Sequence, residues 1–149
     1  MANRFWEAQP KTGRPRKFES PEQLWAYAIE YFEWVEANPL SEEVLFHNKG
    51  EIVKAQAKKP RPMTVRGMCV FLGIGSSTFD DYRNRKEFTE VCNRITETMN
   101  TQKYEGAAVG FFAQSIVARD LGLNEKPVVL IQNKGDMNDF YADQNKANT

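Results

Sequence analysis

The residue types that most often carry out catalysis are sparse in this chain of 149 residues. There is one histidine, His47, and the two cysteines, Cys69 and Cys92, belong to no Cys-x-x-Cys pair. This set cannot assemble a usual zinc site with sensible spacing. A Ser-His-Asp arrangement would depend on His47, and no residue is marked as its nucleophile. The sequence therefore predicts a protein that is not an enzyme and holds no metal or cofactor.

Three further motifs of enzymes and nucleotide-binding proteins are incomplete or missing. Gly73-Ile-Gly75 is not followed by a third glycine, because Thr78 stands at that position, so the dinucleotide-binding fingerprint is incomplete. The sequence contains no Gly-x-x-x-x-Gly-Lys-Ser/Thr loop to hold the phosphates of ATP. The acidic pair Asp80-Asp81 lacks the supporting acids that two-metal chemistry needs. Paired acids on a short helix are more typical of a solvated surface.

Basic residues are unevenly distributed, although 20 Lys and Arg balance 20 Asp and Glu. Residues 1–17 carry five bases against one acid, residues 54–66 carry five bases and no acid, and residues 18–43 carry seven glutamates and no base. The basic segments could lie along phosphates, which would repel the acidic one. An ordinary solvated surface is the alternative for each segment. The candidates for DNA contact in these segments are Arg14, Arg16, Lys17, Lys58, Lys59, Arg61 and Arg66.

Residues 64–86 have the pattern of a helix-turn-helix. Thr64 caps the first helix, Gly73-Ile-Gly75 supplies a tight turn, and Ser76 or Ser77 is expected to cap the second helix. In such a motif the second helix enters the major groove, with cations nearby on the backbone. Two short helices around a glycine turn also occur as plain scaffolding. The residues predicted near the bases are Ser76, Ser77, Thr78 and Asp81. Those predicted near the phosphates are Arg66, Arg83, Arg85 and Lys86.

The elements that must position this motif are mainly helical. A first helix begins at the capping sequence Ser-Pro-Glu-Gln of residues 20–23 and ends at Asn38-Pro39. Residues 43–55 favour a β-hairpin around the glycine-containing turn at 48–50. A helix over 41–57, interrupted in the middle by the glycine, is the alternative.

Residues 87–123 predict an antiparallel helical hairpin, with one helix over 87–103 and another over 105–121. Gly106 and Gly110 are four residues apart and would permit close helix approach. Val128–Ile131 is typical of a short strand, which needs partners for its edges, and copies donated around a ring would supply them. The residues predicted at subunit contacts are Phe88, Ile95, Met99, Gly106, Gly110, Phe111, Phe112, Ile116, Val128 and Leu130.

The predicted organisation is a flexible basic arm over 1–18, a helical DNA-binding domain over 19–86, and an oligomerisation hairpin over 87–123. A β segment over 124–135 and a flexible tail over 136–149 follow. No apolar run approaches the roughly 20 residues of a membrane span, and no signal peptide is visible. We expect a soluble protein that acts inside the cell and contacts no membrane.

Two stretches resemble bacteriophage terminase small subunits. TVRGMCVFLGIGSSTFDDYR, residues 64–83, is similar to the DNA-binding segment of these subunits. QKYEGAAVGFFAQSIVARDLGL, residues 102–123, is the more diagnostic stretch and resembles the gp3-like DNA-packaging proteins of tailed phages. The likeness covers most of residues 11–125, and residues 40–60 look like an addition.

This resemblance implies a non-catalytic protein that forms homo-oligomeric rings in the host cell cytoplasm during phage assembly. Such subunits bind double-stranded viral DNA at the packaging site and regulate the large terminase subunit, which holds the ATPase and nuclease. It further implies that residues 87–121 oligomerise and that Val128–Ile131 joins an intersubunit barrel or collar. A dimeric helix-turn-helix transcription regulator is the first alternative. A non-DNA adaptor whose basic patches bind an acidic partner is the second.

Overall fold

The computed structural model describes Arg4, Trp6, Glu7 and residues 18–123. This part of the chain is mainly helical, as predicted, with one small antiparallel sheet. Its elements are α1 (Pro21–Ala37), β1 (Leu40–Asn48), β2 (Glu51–Lys59), α2 (Val65–Leu72), α3 (Ser76–Arg83), α4 (Thr89–Ala108) and α5 (Gln114–Asp120). No helix within it is long and apolar enough to cross a membrane. Outside the described residues lie Arg14, Arg16, Lys17, Val128 and Leu130, together with the segments 124–135 and 136–149.

The first helix forms where the capping sequence predicts it. The Ser20 side chain accepts a hydrogen bond from the Gln23 backbone N–H at 3.2 Å, and Pro21 opens the helix. The Gln23 side chain reaches back to the Glu19 N–H at 2.8 Å, one residue before the position of a standard capping box. One face of α1 is buried against α2 and α4, so this helix forms one side of the core.

The two short helices α2 and α3 are joined by a three-residue turn. Thr64 caps α2 by accepting a bond from the Gly67 N–H at 2.9 Å, and Gly73 ends it with a φ of 71°. The prediction that Ser76 or Ser77 caps α3 is wrong, because the N-cap is Gly75 and no side chain bonds there. The chain enters α3 one residue earlier than predicted, so both serines lie within the first helical turn.

Residues 40–59 form a β-hairpin rather than an interrupted helix. The strands β1 and β2 pair in register from Leu40 with Lys59 to Asn48 with Glu51, and so extend beyond the predicted 43–55. Lys49 and Gly50 form the two-residue turn with φ values of 53° and 88°. A positive φ at both positions matches the twist of paired strands. Among residues 18–123 the strands pack mainly against each other, so the β-hairpin projects from the helical body.

The prediction of one helix over 105–121 is wrong. The helix α4 continues to Ala108, and Gly110 then turns the chain with a φ of 82°. The Gly106 carbonyl accepts the Phe111 N–H at 2.8 Å, and the Ala107 carbonyl accepts the Gly110 N–H at 3.1 Å. This pair of bonds is a Schellman motif, which satisfies the last carbonyls of a helix. Between this turn and residue 123, only the seven residues of α5 are helical.

The helix α5 is fixed to α4 by a buried side chain, an ion pair and a hydrogen bond from the Gln114 side-chain amide to the Ala107 carbonyl at 3.3 Å. Val117 is buried, and the Lys103 ammonium, itself nearly enclosed, forms an ion pair with the Asp120 carboxylate. Gly122 follows α5 with a φ of 69°, a left-handed backbone conformation in which glycine often ends a helix. These contacts determine where the exposed apolar side chains of the α5 region lie.

Candidate nucleic-acid interface

The helix α3 presents a polar side to solvent because its apolar side is held by the core. Phe79 and Tyr82 are buried, and the Tyr82 hydroxyl accepts a bond from the Phe18 N–H at 2.9 Å. Ser77 and Asp81 lie on the exposed side, while Thr78 is half-buried. The structure therefore exposes the start of α3, which is the part that a reading helix presents to base edges.

Three of the predicted DNA-contacting residues meet at one cleft of about 650 Å³ beside α4. Arg66 comes from α2, and Ser76 and Arg83 come from the two ends of α3. The remaining side chains lining the cleft are Thr64, Val65, Asp80, Thr96, Asn100, Lys103 and Asp120. The predicted set is thus divided between this cleft and the outward side of α3.

Arg83 is occupied by contacts within the protein. Its guanidinium donates to the Thr96 hydroxyl at 3.1 Å, approaches the Asp80 carboxylate at 3.7 Å and lies 5.2 Å from the centre of the Phe79 ring. These contacts attach α3 to α4. The phosphate contact that we predicted for Arg83 stays a prediction; in the structure this side chain braces α3 against α4.

Arg85 and Lys86, which follow α3, remain exposed. The Arg85 guanidinium lies 4.5 Å from the centre of the Tyr82 ring. A stacked arginine keeps its N–H groups directed outward and loses less side-chain entropy when it binds an anion. These two cations are better placed for phosphates than Arg83.

The basic linker is only partly available to a ligand. Arg61 donates to the Asn38 carbonyl at 2.9 Å and lies 5.0 Å from the centre of the Trp34 ring, so it fixes the end of α1. Lys59 forms an ion pair with Glu42 across the β-hairpin. Lys58 is exposed. Of these three predicted DNA contacts, Lys58 fits that role best.

The outward side of α3 carries more acid than base. Asp80 and Asp81 are both exposed on α3. Among the described residues, an ion-pair partner is found for Asp80 alone, whose carboxylate lies 3.7 Å from the Arg83 guanidinium. Carboxylates oppose phosphates but can accept from the amino group of cytosine. If DNA lay along α3, its backbone would be attracted by the cations that flank this helix, Arg66, Arg85 and Lys86.

Three residues predicted at subunit contacts lie in the core of a single chain instead. Phe88, Ile95 and Met99 are at most 2% exposed, because that side of α4 packs against α1 and α3. Their assignment to a subunit surface is therefore replaced by a role in the core. Helical spacing is the same for a core and an interface, which is why the sequence did not separate them.

The glycine pair is not a site of helix contact either. Gly110 lies outside any helix, and Gly106 is covered by the Phe112 ring of its own chain, which occupies the space of a Cβ. Phe111 and Ile116 are exposed and remain available to another molecule. Among the described residues, the predicted subunit contacts that stay exposed are therefore the side chains around α5.

The β-hairpin carries an apolar surface that we did not predict from the sequence. Leu45, Phe46, Ile52 and Val53 are all exposed. Each adjacent pair of apolar residues in a strand places one side chain on each side of the sheet. The runs Val-Leu-Phe in β1 and Ile-Val in β2 contained this signal.

No group of three or more His, Cys, Asp or Glu residues that could hold a metal occurs within the described part of the chain. Burial raises the pKa of the Cys69 thiol from 9.0 to about 11 and also raises the pKa of Cys92. Such thiols are almost fully protonated at neutral pH, and the thiolate is the reactive form. Both cysteines are therefore packing residues in this fold.

Sequence comparison identifies the class of protein to which this fold and surface belong. Residues 13–129 match the family model of the DNA-packaging protein gp3, so the chain belongs to that family. A relative is the terminase small subunit of Salmonella phage P22. The two are 46% identical over 136 residues, which is 90% of this chain and 84% of the relative.

Proposed function

We propose that this protein is the terminase small subunit of a phage: a non-catalytic ring that binds viral DNA at the packaging site. The same ring recruits and regulates the large terminase subunit, which supplies the ATPase and nuclease. The observation that carries this proposal is the likeness to the P22 terminase small subunit over 90% of the chain. The match to a DNA-packaging family over residues 13–129 supports it.

In this proposal α3 enters the major groove, and the cations around it hold the phosphates. Arg66, Arg85 and Lys86 are exposed beside α3. Three phosphate contacts in one copy give weak binding, because the exposed acids Asp80 and Asp81 oppose it. A ring that presents several copies to one DNA molecule raises the total affinity without any new contact. Zero net charge is therefore compatible with DNA binding.

The first experiment measures DNA binding at several salt concentrations with Arg85→Gln. Arg119→Gln, which removes the same charge from an exposed position on α5, is the matched control. We expect Arg85→Gln to weaken binding to every DNA sequence and to lower the salt slope by about one for each copy in contact. Arg119→Gln should bind like the wild type. Equal losses in the two variants would contradict this position for the DNA.

The second experiment is native mass spectrometry of the full chain. A closed ring of more than two copies is the expected result. A dimer would contradict the proposal and favour the transcription regulator, which needs two reading helices one DNA turn apart. Recruitment is tested separately by the ATPase rate of the large subunit, which should rise when this protein is added.

A further inference from the structure

The end of the β-hairpin is apolar on both sides. We call residues 45–53 the tip. On one side Leu45 and Ile52 are 59% and 64% exposed, and on the other side Phe46 and Val53 are 50% and 43% exposed. A soluble chain seldom leaves so many large apolar side chains together in water unless another molecule covers them. A two-stranded hairpin is also marginal by itself and needs packing against something.

A second apolar surface lies at the other end of the β-hairpin. We call it the α5 groove, a cavity of about 390 Å³ between the base of the strands and α5. Leu40, Phe111 and Ile116 line it, and all three are exposed. The turn between α4 and α5 and the Lys103–Asp120 ion pair hold Phe111 and Ile116 in place.

We propose that the tip of one copy fills the α5 groove of the next copy, with Leu45 and Ile52 as the inserted side chains. This proposal rests on the ring of the proposed function and adds the contact that builds it. Because the tip and the groove are different surfaces, the contact is head-to-tail and repeats until a ring closes. Each copy then covers one exposed apolar surface of each neighbour.

The tip of a chain cannot reach its own groove. Leu45 and Ile52 are five and seven residues along their strands from the base pair Leu40–Lys59, so they lie about 17 to 23 Å from the base at about 3.3 Å per residue. The turn at Lys49 and Gly50 is tight, and the paired strands between tip and base cannot fold back. A tip that enters such a groove must therefore belong to another copy.

The charges around the two surfaces favour this occupant over DNA. On the groove rim, Glu42 is paired with Lys59, and Asp120 is paired with Lys103. At the tip, Lys49 in the turn and Glu51 beside it balance each other, and Lys54, which is opposite Leu45 in the strand register, is paired with Glu43. Two apolar surfaces without net charge can pack together without burying an unpaired charge. A phosphate backbone would find no net attraction at such a groove.

The experiment compares two variants by native mass spectrometry and sedimentation. The tip variant is Leu45→Thr with Ile52→Thr, since threonine keeps the strand propensity. The groove variant is Phe111→Ser with Ile116→Thr. Val70→Thr is the control, because Val70 is an exposed apolar residue on α2, outside both surfaces. We expect at least a tenfold loss of assembly in each variant, wild-type assembly in the control, and unchanged helical circular dichroism in all three.

An equal mixture of the tip and groove variants completes the test. Only the groove variant has an intact tip and only the tip variant has an intact groove, so the mixture should form heterodimers and no ring. If the tip variant still forms the same ring as the wild type, the proposed contact is overturned and the proposed function is left intact. The same holds if only the groove variant fails to assemble, because another segment then fills the groove. A wild-type monomer would refute the ring itself.

Discussion

Replacing Gly106 by alanine tests whether the turn after α4 depends on the close approach of Phe112. A Cβ at position 106 would overlap the Cδ2 and Cε2 atoms of the Phe112 ring, so the ring must move away. Displacing a packed side chain costs about 1–3 kcal/mol. Alanine stabilises a helix by up to about 1 kcal/mol relative to glycine, which offsets part of that cost. We expect Gly106→Ala to lower the free energy of unfolding by about 1 kcal/mol.

Chemical denaturation of a double-mutant cycle measures the contact itself. In a Phe112→Ala background the obstacle is absent, so Gly106→Ala should raise the free energy of unfolding by about 0.5–1 kcal/mol. The sign of the substitution therefore reverses between the two backgrounds, and the coupling energy is about 2 kcal/mol. If Gly106→Ala has the same effect in both backgrounds, the ring does not press on Gly106 and the reasoning fails.

Three further predictions concern groups inside the fold. Asp120→Asn leaves the nearly buried Lys103 ammonium without its partner, so we expect a loss of about 1–2 kcal/mol that Lys103→Met in the same chain largely restores; thermal melts of the single and double variants decide this. Burial raises the pKa of Cys69 from 9.0 to about 11, so the unfolded state releases its proton first. Stability should therefore fall by about 2 kcal/mol between pH 9 and 11, and less in Cys69→Ala; equal slopes would refute the assignment. Arg83→Ala loses the bond to Thr96 and should lower stability by about 1 kcal/mol in urea titrations, and an unchanged midpoint would contradict its bracing position.

Elements with strong local signals could be predicted from the sequence. The first helix begins at Ser20-Pro21 and ends before Asn38-Pro39, because capping side chains and proline restrict the backbone locally. The hairpin followed from a glycine-containing turn between two short apolar runs. In both cases the residues that determine the structure lie within a few positions of it.

The turn between α4 and α5 could not be predicted in the same way. Gly106 and Gly110 fit the spacing of a close helix contact and also the end of a helix, and only the backbone bonds at Gly106 and Ala107 distinguish them. The helical pattern of residues 105–121 survives a turn because Phe112, which lies in the turn, and Val117, which lies in the shorter helix α5, both pack against α4. Tertiary contacts decide such cases.

The candidate site was predicted less well than the fold. Residue type made Arg61, Arg83 and Arg85 equivalent candidates, but the Asn38 carbonyl and the Thr96 hydroxyl occupy the first two. A sequence does not show which cation is already bound within the protein. Exposure, which leaves Arg85 as the better candidate, is a property of the packed molecule.

The separation of the β-hairpin from the helical body gives the chain two levels of local stability. Its backbone hydrogen bonds join β1 only to β2, so they can open without disturbing the core beneath α1. In a single copy we expect hairpin amides to exchange with deuterium long before those of α4, since local opening costs less than global unfolding. The fraction of hairpin amides that are protected from exchange would therefore measure the fraction of copies that are assembled with a neighbouring copy.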